Sequence, residues 1–144
     1  MKLIGVVSLV AFSALQCVAE IPKVPESKLA ETCSHAFNGE VVQVYTKVKQ
    51  TSANFEHTYG IAEIDVRDVK KGVEIEAGYR AYVRFWRKRW VGTGKPQPDH
   101  YGHWNIPSQG DRVTVYVKGD RRNGFDVMSP NGFFEVQSPD AREK

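Results

Sequence analysis

Five residues at every second position of one segment carry side chains suited to ligand binding: Tyr82, Arg84, Trp86, Lys88 and Trp90. The alternate positions are apolar at Ala81, Val83 and Phe85. Because successive side chains of a strand point to opposite faces, this pattern predicts one buried face and one aromatic and basic face. Exposed rings can stack on sugars or bases, and cations can pair with sulfate or phosphate. We interpret the five residues as a candidate binding face. The alternative is that both tryptophans pack under the following loop.

Histidines in the next segment offer a second kind of chemistry. Asp99, His100 and His103 lie in a long loop, rich in Gly, Pro and His, between residues 92 and 110. Imidazoles with a neighbouring carboxylate can bind one divalent metal, and His57 can add a ligand if its own loop lies at the same end. Solvent-exposed loop histidines are the alternative. Without a metal, His100 or His103 can act as a general base, although no serine or cysteine motif accompanies them.

Carboxylates around the second predicted strand are less promising as a site. They alternate with apolar residues and neighbour Arg67, Lys70 and Lys71, so a salt-bridged surface is the favoured interpretation. The residues concerned are Glu63, Asp65, Asp68, Glu74 and Glu76. The sequence also lacks the motifs Gly-x-Ser-x-Gly and His-Glu-x-x-His and a phosphate-binding glycine loop.

The elements that must position these residues are strands. A short helix is predicted over 27–33, and period-two alternation predicts strands over 42–48, 62–67, 79–90, 113–117, 125–128 and 133–136. An all-β fold is therefore expected. Because an open sheet would leave unprotected edges, we expect the strands to close into a small barrel of five to six strands, with a long loop between strands 3 and 4. The predicted interior residues are Val42, Val44, Ile64, Val66, Val83, Phe85, Val113, Val115 and Val117.

Residues 1–19 have the features of a secretory signal peptide. Lys2 precedes an apolar run over 3–15, and small residues at Cys17 and Ala19 favour cleavage before Glu20. The run is shorter than the roughly 20 residues that span a bilayer, so an uncleaved anchor is less favoured. Lipid attachment at Cys17 is a minor alternative. We therefore expect a secreted or periplasmic protein with no transmembrane segment in the mature chain.

The 144 residues correspond to one domain. Residues 20–35 are expected to form an N-terminal leader and the short helix, 36–137 the barrel domain, and 138–144 a polar tail. Cleavage would leave one cysteine, Cys33, which we expect to be buried beneath the helix; a free or intermolecularly paired thiol is the alternative.

Two segments carry a resemblance to a known family. Residues 36–42, Ala-Phe-Asn-Gly-Glu-Val-Val, and residues 63–72, ending in Val-Lys-Lys-Gly, resemble the first strands of netrin-like OB domains. That family includes the tissue inhibitors of metalloproteinases, and the resemblance covers residues 33–72 best. It implies an OB-like barrel. Those inhibitors use an N-terminal cysteine and several disulfides, which the lone Cys33 does not provide, so a metalloproteinase-chelating mechanism is not implied.

The favoured function is a secreted or periplasmic, non-enzymatic binding module that recognises a protein, a polysaccharide or another polyanion through the aromatic and basic face. The net charge of +3 permits weak attraction to polyanions, whereas export makes a nucleic acid an unexpected partner. One alternative is a small exported metal-dependent or histidine-dependent enzyme using residues 99–104. Another is a structural envelope component. No cofactor is expected, apart from the divalent metal that the histidine loop can bind.

Overall fold

The computed structural model describes residues 22–95 and 101–136. One helix, α1 (Glu26–Thr32), precedes seven strands: β1 (His35–Gln50), β2 (Phe55–Lys71), β3 (Arg80–Trp90), β4 (Tyr101–Gly102), β5 (Arg112–Asp120), β6 (Gly124–Val127) and β7 (Phe133–Glu135). The expected signal peptide with Cys17, the expected metal ligands Asp99 and His100, and the expected polar tail 138–144 lie outside the described residues. In the part that is described, no helix has the length and apolar character needed to cross a membrane.

Five of the strands close into a barrel. β1 pairs with β2 on one side and with β5 on the other, both antiparallel, and β2 pairs antiparallel with β3. A parallel pairing of β3 with β6, together with the antiparallel β5–β6 pairing, completes the ring. β7 adds to β5, and β4 pairs with β3. This closed five-stranded barrel confirms the predicted all-β fold and is compatible with an OB-like fold.

The barrel core contains most of the predicted interior residues. Ile64, Val66, Val83, Phe85, Val113, Val115 and Val117 are all buried. They pack with three further rings that the strand pattern does not single out, those of Phe37, Phe125 and Phe133. The alternation therefore predicts the correct inward faces on β2, β3 and β5.

The prediction for Val42 is wrong, and a β-bulge is the reason. Val41 pairs with Ile64 and Gln43 with Glu63, so Val42 is an extra residue on β1 without its own partner. The bulge reverses which positions face inward: Val41 is buried, whereas Val42 is half-buried. Val44 lies beyond the bulge and packs against the core as a half-buried residue.

Helix α1 covers one side of the barrel through a small apolar cluster. Leu29 and Cys33 are buried there against Tyr116, as expected for Cys33. The Tyr116 hydroxyl donates a hydrogen bond of 2.6 Å to the Glu26 carboxylate at the start of the helix. At its end, Lys71 Nζ donates to two backbone carbonyl oxygens of the last turn, satisfying acceptors that a helix leaves unpaired.

The segment that leads into α1 is held by a single amide side chain. Asn131 is fully buried. Its Oδ1 accepts a hydrogen bond of 2.9 Å from the Val24 backbone N–H, and its Nδ2 donates one of 2.9 Å to the Val24 carbonyl oxygen. Both ends of the Asn131 amide are thus satisfied by the backbone of one residue.

β1, β2 and β3 extend well beyond the barrel. The pairing of β1 with β5 stops at Glu40, but its pairing with β2 continues to Gln50, and β2 pairs with β3 as far as Trp90. Residues 51–54 connect the first two strands at the tip. The result is a three-stranded extension that presents one face of the sheet away from the barrel interior.

Candidate functional site

Strand register places the side chains of the extension in rows. Residues directly opposite each other in neighbouring strands have their Cβ atoms about 5 Å apart and share one face. Starting at the tip, the rows on the outward face are Lys49, His57 and Lys88; then Lys47, Tyr59 and Trp86; then Tyr45, Ile61 and Arg84; then Gln43, Glu63 and Tyr82. We term these twelve residues the basic-aromatic face.

The five residues singled out on β3 all lie on the outward side of that strand. Tyr82 is 51% exposed, Trp86 is 39% exposed, and Arg84 is also exposed, while the apolar residues between them are buried. Lys88 and Trp90 are half-buried, and Phe55 packs beside both. Lys88 Nζ lies 4.1 Å from the Phe55 ring centroid, and the Trp90 ring meets Phe55 edge to face at 5.0 Å. Their role in binding stays a prediction.

The other eight residues of the face come from β1 and β2. Tyr45, Tyr59 and Ile61 are exposed, as are Lys47 and Lys49. The alternation of Tyr45, Lys47 and Lys49 is visible in the sequence as the polar side of the first strand. The register that sets these residues beside β3 is not visible there, so the sequence alone identifies one strand of a three-stranded surface.

Two shallow depressions form a groove across this face. One, of about 400 Å³, lies over β1, β2 and β3 and is lined by Tyr45, Ile61 and Lys47. The other, of about 380 Å³, continues towards β6 and is lined by Trp86 and other residues. Tyr59 and Arg84 line both depressions. A groove that crosses several strands suits an extended ligand better than a small enclosed one.

A glycine keeps the strands close beneath the groove. Gly60 faces the barrel interior, and any Cβ at this position would overlap the ring of Phe85. The Phe85 ring therefore occupies the space that a side chain would take. Because Gly60 has no side chain, the Phe85 ring can pack on the inner side of the sheet beneath the outward row that contains Ile61 and Arg84.

Charges on the lower half of the face are neutralised within the protein. Arg84 forms two hydrogen bonds of 2.7 Å to the Asp126 carboxylate, which raise the pKa of Arg84. Glu63 accepts hydrogen bonds from Arg80 and, at 2.9 Å, from the Tyr45 hydroxyl, and these lower the pKa of the Glu63 carboxyl. Arg80 also contacts Asp65.

The upper half has a different charge pattern. Its two rows contain three lysines, one histidine and two rings, and no carboxylate. The nearest acidic residue in sequence, Glu56, alternates to the opposite face and accepts a hydrogen bond of 2.8 Å from Arg89. The tip of the face is therefore its basic end.

His103 has a structural position between two strands. It is buried, and its Nε2 donates to the Val127 carbonyl oxygen at 3.0 Å. Its Nδ1 accepts a hydrogen bond of 3.0 Å from the Trp86 backbone N–H. Both ring nitrogens thus contact the backbone, one on β6 and one on β3. As a metal ligand, His103 would have to release one of them.

His57 lies on β2 rather than in a loop. Its ring is 6.1 Å from the Trp86 ring, and its Nδ1 is 3.2 Å from the Tyr59 hydroxyl. Within residues 22–95 and 101–136, no group of three or more His, Cys, Asp or Glu side chains is placed to hold a metal ion. Because Asp99 and His100 lie outside these ranges, the metal site formed by His57, Asp99, His100 and His103 stays a prediction.

Comparisons of the chain with protein-family models, with curated proteins and with solved structures found no match. The barrel topology cannot supply a function by itself, since small barrels of this kind serve many functions. A function for this protein must therefore be inferred from the side chains and charges of the basic-aromatic face.

Proposed function

We propose that this protein is a secreted or periplasmic, non-enzymatic binding module that recognises a protein or a polymer through the basic-aromatic face. The observation that carries the proposal is the pair of central rows, Lys47 with Tyr59 and Trp86, and Tyr45 with Ile61 and Arg84. Four large apolar or aromatic side chains stand together there on one exposed surface, beside Lys47 and the Arg84 side chain that is paired with Asp126.

Exposure of these rings is the first support. Contiguous apolar surface on a folded protein usually marks a partner site, because burying it is worth about 25 cal/mol per Å². Tyr45 is 53% exposed and Tyr59 48% exposed, and Trp86 is also exposed, so all three rings keep a large part of their surface in water. Stacking on such rings typically contributes about 1–3 kcal/mol for each ligand ring.

The shape of the groove is the second support. It crosses β1, β2, β3 and β6, and three inter-strand spacings amount to about 14 Å. A ligand of that length is a short stretch of a polymer or an extended peptide. Because the tip of the face is basic, an anionic polymer is the favoured ligand, with an acidic protein as the second candidate.

The alternatives have less support. A histidine-dependent enzyme built on residues 99–104 would use His100 or His103, and the ring nitrogens of His103 already contact Trp86 and Val127. A structural envelope component would use the face for assembly with neighbouring subunits. We also propose the netrin-like assignment, which is supported by the position of residues 36–42 on β1 and of residues 63–71 on β2, the first two paired strands.

Binding of a polymer panel by purified mature protein tests the proposal. Dextran sulfate, polygalacturonate and neutral dextran would be titrated against wild type, Trp86→Ala and Tyr59→Ala. Val73→Ala is the matched control, because Val73 is 97% exposed but lies in the loop after β2. We expect each ring variant to weaken the tightest interaction at least fivefold and the control to leave it unchanged. Amide shift changes confined to residues outside the face would contradict the proposal.

A further inference from the structure

We infer that two copies of this protein pair antiparallel through the open edge of β1, the side of residues 42–50 that faces away from β2, and so join their three-stranded extensions into one sheet. The inference goes beyond the proposed function, because it concerns backbone pairing between copies and not contacts with a ligand. It is carried by the length of the unpaired edge and by the match of its sequence to itself in the antiparallel direction.

The open edge begins where β1 leaves the barrel. Pairing with β5 stops at Glu40, and on that side the last backbone hydrogen bonds of β1 join Val41 to Asp111 and Gly110. In the part of the chain that the structure describes, no strand pairs with residues 42–50 on this side, whereas β2 pairs with the other side as far as the tip. The edge is about 30 Å long and presents a row of backbone donors and acceptors to a further strand.

The opposite edge of the extension is covered. β4 pairs with β3 there and places Gly102 opposite Arg87. One residue further along, the His103 N–H donates a hydrogen bond of 2.8 Å to the Trp86 carbonyl oxygen. Proteins commonly shield strand edges in such ways, because a bare edge is a template for pairing with another chain. The contrast between the two edges marks β1 as the pairing side.

A second copy fits the open edge in one register. In a symmetric antiparallel pair the twofold axis is perpendicular to the sheet, so directly opposed residues share one face and the axis passes beside a single residue. An axis at Thr46, the midpoint of 42–50, uses the whole edge and places Thr46 opposite its own copy. The other direct pairs are Val44 with Val48, Tyr45 with Lys47, Gln43 with Lys49 and Val42 with Gln50.

Side chains that meet in this register suit each other. Val48 is 57% exposed, and Val44 of the second copy would cover it. Lys47 would lie beside the Tyr45 ring of the second copy, and a cation is a favourable neighbour of an aromatic ring. The two threonines at the axis, both copies of Thr46, form a pair that stabilises antiparallel strands. These contacts add to the backbone hydrogen bonds along the edge.

Lysines disfavour the two neighbouring registers. With the axis at Lys47, two copies of Lys47 would lie directly opposite each other, and like charges opposed across strands are destabilising. With the axis at Tyr45, Lys49 would lie opposite Val41, whose N–H and C=O groups are already bonded to the loop before β5. Of the three registers, the one centred on Thr46 alone avoids both conflicts. The lysines of the edge therefore select a register and do not prevent pairing.

The symmetry places both basic-aromatic faces on the same side of the joined sheet. The depression lined by Tyr45 and Lys47 reaches the edge of β1, so the axis would set it beside its own copy. Three strands from each copy give five inter-strand spacings, about 24 Å across. A longer polymer would then lie across both copies. This last consequence rests on the proposed function, whereas the pairing of the edges does not.

Sedimentation velocity of the purified mature protein tests the dimer. We expect a monomer–dimer equilibrium with a dissociation constant of about 10–100 µM, as is typical of small interfaces. Thr46→Lys places a positive charge opposite its own copy at the axis and should weaken the dimer at least about fivefold. Val73→Lys is the matched control, because it adds the same charge at a 97% exposed position in the loop after β2. It should leave the dimer unchanged.

Cysteine cross-linking tests the register. Thr46→Cys places two thiols opposite each other at the axis, at a Cα separation of about 5 Å that a disulfide can bridge. Val48→Cys lies on the same side of the same strand, but its two copies would be about 14 Å apart, too far to bridge. Oxidation with copper phenanthroline should therefore yield a covalent dimer of Thr46→Cys, and not of Val48→Cys or of wild type, whose Cys33 is buried.

Three results would overturn the inference. Wild type that stays monomeric at about 1 mM would do so and would leave the edge to an extended peptide of another protein. Equal dimerisation of Thr46→Lys and wild type, or equal cross-linking at positions 46 and 48, would mean that the copies meet elsewhere or in another register. If Thr46→Lys does not fold, the two cysteine variants decide. The proposed function is tested independently, since Trp86→Ala should weaken polymer binding and still dimerise like wild type.

Discussion

Trp86 and His103 are joined by reciprocal hydrogen bonds that connect the basic-aromatic face to the loop before β5. The His103 backbone N–H donates to the Trp86 carbonyl oxygen at 2.8 Å, and the Trp86 N–H donates to His103 Nδ1 at 3.0 Å. The two rings also meet edge to face at 6.0 Å. Direct pairing of β3 with β6 involves only Val83 and Arg84, so His103 continues the connection between these strands where the pairing stops.

Replacing His103 with Ala should therefore destabilise the fold strongly. The change leaves the Trp86 N–H and the Val127 carbonyl oxygen without their partners, and each unsatisfied buried group costs about 1–3 kcal/mol. We expect a loss of about 2–4 kcal/mol in the free energy of unfolding. Urea denaturation measures it. A loss below about 0.5 kcal/mol would show that water replaces both contacts.

Asp126→Asn should strengthen the binding of dextran sulfate. Asp126 places a negative charge beside the groove and accepts hydrogen bonds from Nε and Nη2 of Arg84. Its neutralisation should tighten binding about twofold to fivefold and lower stability by less than about 1 kcal/mol, as is usual for exposed ion pairs. Arg84→Gln should have a much smaller effect, because Asp126 already neutralises Arg84. Isothermal titration calorimetry on both variants checks the prediction, and weaker binding by Asp126→Asn would contradict it.

Stability should fall at alkaline pH because of Tyr116. Burial, followed by the hydrogen bond to Glu26, raises the pKa of Tyr116 above its ordinary value of 10.0. The folded protein therefore keeps a proton that the unfolded chain loses. The stabilising contribution is complete below pH 10 and is lost as the pH rises from there towards the folded-state pKa.

Tyr116→Phe isolates this contribution. It should cost about 1 kcal/mol at neutral pH and make the loss of stability above pH 10 less steep. Thermal unfolding of both proteins between pH 8 and 11 provides the comparison. Equal slopes would assign the alkaline loss to other groups, such as Tyr45, whose pKa is raised by its hydrogen bond to Glu63.

The bulge in β1 predicts opposite outcomes for two adjacent valines. Val41→Ala removes methyl groups from the closed core and should cost about 2 kcal/mol. Val42→Ala should cost less than about 1 kcal/mol, because Val42 is half-buried. Urea midpoints of the two variants, with unchanged denaturant dependence, make the comparison. A larger loss at Val42 would mean that Val42, and not Val41, faces the core.

The barrel strands can be predicted because alternation is a local property. Ile64, Val66, Val113 and Val115 each lie in a stretch whose polar and apolar residues alternate without interruption, so their burial follows from the pleat. Alternation alone cannot place Val42. A single inserted residue exchanges the inward-facing and outward-facing positions of the strand residues before it, and the composition of the sequence does not reveal the insertion. The polar residues around His57 predict a loop. In the structure His57 lies on β2, in the part of the sheet that extends beyond the barrel.

The candidate face can be predicted only in part for a related reason. Trp86 and Arg84 stand out by residue type along one strand. Their partners Tyr59 and Ile61 precede them by more than 20 residues and resemble ordinary strand residues. Only the register between strands groups the four side chains, and register depends on long-range pairing. The same reason explains why the sequence leaves His103 open as a metal ligand, although its contacts are with the backbones of β3 and β6.

The two hydrogen bonds between Asn131 and the Val24 backbone determine which substitutions these two positions can accept. Because Asn131 binds the N–H and C=O groups of Val24, both hydrogen bonds are indifferent to the side chain at position 24. Proline is the exception, as it lacks the N–H. Because the Val24 side chain also packs against the cluster of Leu29 and Tyr116, other apolar residues should be accepted at position 24 without loss of either hydrogen bond. Asn131 itself has no substitute that offers a donor and an acceptor in the same short amide. Substitution should therefore be tolerated more readily at position 24 than at position 131.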